Sequence, residues 1–179
     1  MRRGDFATPR VDFDQAWNTY KEGFGNPEGE YWIGNKYIHL LTSQGDQMTL
    51  RVSLESFDGD TVDMTYDSFQ LSSEEDNYML KMGNYLGHPG YLGTSLRYHH
   101  HQPFSTRDRN NQRSRQNCAE DFKGGWWFTR CYSAFLTGIY YQPGPPHPRK
   151  GIRWNAWKGN APLKGAKMMI RPMHFTPHK

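Results

Sequence analysis

Cys118 and Cys131 are the only two cysteines among the 179 residues, and they are the first place to look for chemistry. A free thiol there could act as a nucleophile or a metal ligand. A bond between them would close a loop rich in Gly and aromatics and contribute roughly 3 kcal/mol in the chain-entropy picture. The residues alone leave both readings open. His99, His100 and His101 offer imidazoles for a transition metal. Consecutive histidines cannot all face one ion, and no acid or cysteine adjoins them, so an exposed polar loop is expected. Arg3-Gly4-Asp5 spells the integrin tripeptide, which works only on an exposed, curved loop; here it follows a predicted strand, and a chance match is expected. No nucleophile elbow, HExxH, P-loop or GxGxxG stands in its required context, so no enzymatic chemistry is indicated.

Whatever positions these residues is built largely from aromatics and turns. Only 35% of residues are hydrophobic, yet 15% are aromatic, and there are 18 Gly and 11 Pro. Trp, Tyr and Phe must therefore supply much of the burial, and the Gly and Pro content disfavours long helices. The length points to one domain. A net charge of +4, with a pI near 9.0, fits anionic partners such as sulfated glycans or acidic proteins. Nucleic acid fits less well, because acids are interspersed and no nucleic-acid motif occurs. No apolar run is long enough to span a bilayer, and Arg2-Arg3-Gly4-Asp5 leads into no signal-peptide core.

Along the chain, Asp12 or Asp14 can cap a short helix through Trp17 and Tyr20, with Gly23 stopping it. Glu30–Gly34 and Tyr37–Leu41 are short apolar pieces bounded by Gly. Met48, Leu50, Val52 and Leu54 alternate with Thr49, Arg51 and Ser53, which predicts a strand. Asp58-Gly59-Asp60 turns it into a second strand over Thr61–Tyr66. A third strand is predicted at Tyr78–Met82 and a closing one at Lys167–Arg171, ended by Pro172. Between Gly83 and about Lys164 regularity gives way to Gly, Pro, His and Arg. A stretch of that length in a compact domain is functional or disordered, and its aromatics oppose disorder. Trp126, Trp127 and Phe128 are read as core. The fold class is α+β: an antiparallel sheet, short helices and a long, loop-rich C-terminal subregion.

Several of these segments, in order and spacing, resemble the fibrinogen C-terminal (fibrinogen-related) domain family. They are Val11-Asp12-Phe13 with Trp17, Tyr20 to Gly25, Gly29 to Asn35, Ile38 to Thr42, Leu50-Arg51-Val52, Phe104-Ser105-Thr106 and Asn117 to Glu120. Gly125 to Phe128, Cys131, Gly151 to Trp154 and Met168 to Pro172 complete the set. The C-terminal run Ala166–Pro172 is most similar to fibroleukin and angiopoietin-like members. The resemblance implies a secreted, extracellular, non-enzymatic recognition module for a protein receptor or a glycan. The alternative is an assembly module of matrix or clot-like polymers. It also implies a Cys118–Cys131 disulfide, and a chain that starts inside the family's first strand, lacking about forty residues of a domain of ordinary size. An upstream region would then carry any oligomerisation.

The resemblance further implies two sites. The family's calcium loop precedes Cys118, and its two acids fall here on Asn110 and Gln112, its two carbonyls on Ser114 and Gln116. Asp108 survives, at a position that does not touch the ion in the family. Calcium affinity follows ligand charge, and residues 107–116 carry four arginines against one acid, so a basic solvated loop without metal or other cofactor is expected. The family's ligand pocket lies beside the disulfide, and by position its lining includes Asp121, Phe122, Arg130, Cys131, Tyr132, Pro148 and Arg149. Phe122 replaces a tyrosine of acetyl-binding members, Tyr132 a histidine, and Arg149 an aspartate of the fibrinogen pocket. An arginine repels the cationic amine that an aspartate would pair with, so a rewired, more basic surface is expected, open to an anionic polysaccharide. Phe135-Leu136-Thr137-Gly138 stands where the family has Asn-Leu-Asn-Gly, which puts the local loop geometry in question.

Overall fold

The computed structural model describes residues 1–4, 10–88, 90–142 and 149–175. Its main sheet has six antiparallel strands: β1 (Arg2–Gly4), β2 (Phe24–Gly25), β3 (Tyr31–Trp32), β4 (Met48–Ser56), β5 (Thr61–Tyr66) and β10 (Leu163–Pro172). They lie in the order β2-β3-β1-β10-β4-β5. The alternation read from the sequence holds in β4, where Leu50, Val52 and Leu54 are buried. Its register with β5 runs from Leu50↔Tyr66 to Glu55↔Thr61. The hairpin turns at Gly59, whose φ of 87° suits glycine, and closes with the Ser56 N–H donating to the Asp60 carbonyl at 2.9 Å. The closing strand is longer than its sequence signal and sits in the middle of the sheet. It pairs with β4 from Leu163↔Ser56 to Pro172↔Met48, and with β1 through Arg2↔Lys167.

The predicted N-terminal helix is α1 (Trp17–Glu22), but neither expected cap serves it. Asp12 instead accepts from the Asp14 N–H at 2.8 Å. The Trp17 N–H donates to the carboxylate of Asp108 at 2.9 Å, 91 residues away in sequence. A long-range acid thus supplies the anion that a helix start prefers. Gly23 ends the helix as expected, at φ 93° with its N–H on the Thr19 carbonyl. The next apolar piece forms a second helix, α2 (Asn35–Ser43).

The strand expected from Tyr78 begins later, as β7 (Leu80–Met82), because Asn77 and Tyr78 both adopt left-handed backbone angles. It pairs with β6 (Phe69–Leu71) in a separate two-stranded sheet. The irregular stretch holds α3 (Thr94–Arg97), α4 (Cys118–Phe122) and a second small sheet of β8 (Ala134–Phe135) and β9 (Arg153–Trp154). The architecture is α+β. Trp126, Trp127 and Phe128 are fully buried, as their reading as core required. Trp127 packs on Phe104 at 5.3 Å and Trp32 at 6.1 Å, joining the loop region to β3 of the main sheet.

Arg3 is only 2% exposed. It donates to the Gly138 carbonyl at 2.6 Å, lies 3.6 Å from the Glu30 carboxylate and stacks over Phe13 at 3.8 Å. Burial lowers its pKa to about 10. A side chain held this way cannot reach a receptor. Asp5, which would complete the tripeptide, lies outside the described residues.

Candidate recognition site

The site is assembled around Cys118. Asn117 caps α4, its side-chain oxygen accepting the Glu120 N–H at 3.3 Å, and Lys123 ends the helix at φ 62°. The cap fixes Cys118 at the start of the helix, where it is bonded to Cys131 with 5.4 Å between Cα atoms. Both cysteines of the chain are consumed, so neither is a thiol nucleophile. Cys131 itself has φ 59°, an unusual angle for a residue with a side chain. Non-glycine residues held this way concentrate at functional sites, where their surroundings over-determine them.

Those surroundings are two polar clamps. Gln112 is the first: its side-chain oxygen accepts the Cys118 N–H at 2.9 Å, and its amide nitrogen donates to the Thr129 carbonyl at 3.2 Å. His99 is the second. Its Nε2 accepts the N–H groups of Ser133 at 3.2 Å and Ala134 at 3.1 Å. Nδ1 must therefore carry the proton, which it donates to the Trp127 carbonyl at 2.6 Å. The ring is completely buried, and burial lowers its pKa to about 4.

The histidine run is thus not a uniform exposed loop: His101 is exposed, His100 accepts the Met82 N–H at 3.1 Å, and His99 is structural. Sequence reasoning missed this role. Its one signal was that His99 follows Leu96 by three residues, on the same buried face.

The clamped segment presents an aromatic cluster. Tyr132 stacks on Phe135 at 5.0 Å and meets Phe122 edge-on at 5.1 Å. Its hydroxyl donates to the Arg149 carbonyl, and partial burial raises its pKa. Tyr132 thus lies against Phe122 and the Arg149 backbone, with Arg130 exposed beside Cys131. Asp121 is turned toward the neighbouring loop, where it accepts the Gln116 amide at 2.8 Å. Pro148 lies outside the described residues. Thr137, in place of an asparagine, donates to the Gly125 carbonyl at 2.6 Å and is fully buried.

The family pattern "Fibrinogen beta and gamma chains, C-terminal globular domain" matches residues 3–173. The chain belongs to the fibrinogen C-terminal domain family. It is 42% identical to fibrinogen-like protein 1 of Rattus norvegicus over 93% of this chain, and spans 57% of that relative's length. Among solved structures it is similar to the fibrinogen-like globe domain of human ANGPTL2, with a TM-score of 0.87, 40% identity, and coverage of 96% of this chain and 77% of that one. It is also similar to the lamprey fibrin D-dimer complexed with the peptide Gly-His-Arg-Pro-amide, with a TM-score of 0.85 and 31% identity over 99% of this chain and 62% of that one.

The calcium loop of a fibrinogen-type domain does not fit its ion here. Asn110 turns its amide nitrogen inward and donates to the Gln116 carbonyl at 3.2 Å, one of the oxygens the ion would need. Its own side-chain oxygen accepts the Gln112 N–H at 3.2 Å, and the Gln112 side chain is committed to Cys118 and Thr129. Ser114 accepts the Gln116 N–H at 3.2 Å through its hydroxyl. Asp108 serves Trp17 and accepts the Thr106 hydroxyl at 2.7 Å. Side-chain amides thus span the loop, and a carboxylate pair is missing.

Proposed function

We propose that this chain is a secreted, extracellular, non-enzymatic recognition domain that binds a protein receptor or glycan through the loops around the Cys118–Cys131 bond. The observation carrying this reading is the convergence of Phe122, Tyr132, Arg130 and Arg149 on one segment that the disulfide, Gln112 and His99 hold in place. Rigid presentation lowers the ordering cost of binding. The lamprey fibrin complex supports a peptide-binding role for this fold, and its fibrin origin favours the second reading, an assembly module. Arg149 argues against a ligand that leads with a cationic amine.

The test is titration of the domain, clustered on a tetrameric carrier, onto cultured cells by flow cytometry. Saturable binding should fall at least severalfold for Asp121→Ala/Arg149→Ala, both exposed positions. Binding unaffected by that pair would move the site elsewhere. Concentration-dependent self-polymerisation of the free domain would instead favour the assembly reading.

A further inference from the structure

Five arginines lie between Arg107 and Cys131, and the structure divides them into two groups. Arg107 is paired with Asp14 at 3.6 Å. Arg109 donates to Asn77 at 2.8 Å, lies 4.0 Å from Glu74 and stacks over Trp17 at 4.0 Å. These two fasten the loop to the segment from Asp14 into α1 and to Glu74–Asn77. Arg113, Arg115 and Arg130 are exposed and have no acid partner among the described residues.

The Gln112 clamp ties together the two backbone stretches that carry the second group. Its bond to the Thr129 carbonyl is 3.2 Å long, with Arg113 next to one end and Arg130 next to the other. Arg115 lies in the same bend, which Asn110 and Ser114 close through their bonds to Gln116. The acids facing this set are Asp121, which accepts the Gln116 amide, and the exposed Glu120 of α4. The three guanidiniums outnumber them. Arg149, one hydroxyl bond beyond Tyr132, extends the positive surface.

Resting on the recognition reading above, we propose that Arg113, Arg115 and Arg130 form a binding site for a sulfated polysaccharide. Guanidinium groups pair with sulfate oxygens through two parallel N–H donors. The segment Arg107–Asn117 has no apolar side chain, so it lacks the apolar core that a protein partner needs. A linear chain with repeated anionic groups needs only spaced cations on an exposed surface, held still. The Gln112 and Asn110 amides provide that stillness in place of a metal ion, so binding proceeds without calcium.

The test compares two triple variants with equal change in charge. Arg113→Glu/Arg115→Glu/Arg130→Glu alters the site, and Lys81→Glu/Lys167→Glu/Arg171→Glu alters exposed cations elsewhere. Calorimetry with size-fractionated heparin at low salt should show a loss of about tenfold or more for the first and about threefold or less for the second. Affinity should fall steeply between about 0.05 and 0.3 M salt and be unchanged by EDTA. Equal losses from both triples, loss of binding in EDTA, or equal affinity for polyglutamate would overturn the proposal. Thermal melts of both triples confirm that they fold. Cell binding that survives heparinase and the arginine triple, but not Asp121→Ala/Arg149→Ala, would overturn this site while leaving the recognition reading standing.

Discussion

The β4–β5–β10 ladder and the loop region between Gly83 and Leu163 fix their backbones by different means. In the ladder, neighbouring strands satisfy one another's N–H and C=O groups residue by residue. The loop region has short elements only, and side chains from the region hold backbone groups that no long ladder serves. Asp108 holds Trp17, His99 holds Ser133 and Ala134, Gln112 holds Cys118 and Thr129, and Thr137 holds Gly125. A ladder tolerates the loss of one side chain because its bonds belong to the backbone. A clamp disappears with its residue. Regular structure therefore gives a robust platform, while the clamped region can vary its surface provided that a few clamp residues stay.

The largest expected effect comes where the two regions share a core. Trp127→Ala removes contacts to Trp32, Phe69 and Phe104 and a bond to the Tyr78 carbonyl. Urea denaturation should show a loss of about 4 kcal/mol; a loss under about 2 kcal/mol would mean that the two regions stand independently. Removing the disulfide with Cys118→Ser/Cys131→Ser should cost about 3 kcal/mol. Hydrogen exchange should then accelerate at Thr129–Ala134 and leave the β4 and β5 amides protected. Uniform acceleration would erase the contrast.

Acid probes the same contrast through His99. Its pKa falls from 6.5 in the unfolded chain to about 4 in the fold, so between those values the folded state binds fewer protons. Stability is full above pH 6.5 and declines as pH falls toward 4, by up to about 3 kcal/mol. A His99→Gln variant should lose this part of the slope in denaturation measured from pH 7 to 4. An unchanged slope would assign it to other groups.

Smaller effects follow at single bonds. Asp108→Ala should cost about 1 kcal/mol by uncapping α1, read as a shift in the urea midpoint, and an unshifted midpoint would deny the cap its role. The smallest expected effect is none: millimolar calcium should not move the wild-type melting temperature. Asn110→Asp/Gln112→Asp restores the missing carboxylates and should make it rise with calcium. A wild-type response would show that the amide-held loop opens for the ion.

Much of the platform was legible in the sequence, because alternation and turn chemistry are local. Leu50, Val52 and Leu54 announce their own strand, and Asp58-Gly59-Asp60 its own turn. The family motifs located the disulfide. The clamps were not legible. Nothing around Asp108 says that it caps a helix 91 residues earlier, and a histidine in a run of three gives little sign of being the buried one. The strand from Tyr78 was misplaced by two residues because left-handed backbone at Asn77 and Tyr78 leaves no mark in hydrophobic periodicity. Nor does periodicity report where in a sheet a strand lies.

The central place of β10 carries a consequence for how the domain is made. Arg2 pairs with Lys167, so β1 stays unpartnered on that side until β10, more than 150 positions later, has been synthesised. Loop closure over such a span is slow. While the polypeptide is still emerging from the ribosome, β4 can zip with β5 through their tight turn, but the β10 side of β4 stays bare. Newly made chains therefore pass through a stage with strand edges open to one another, and chaperone demand during synthesis should peak just before β10 arrives.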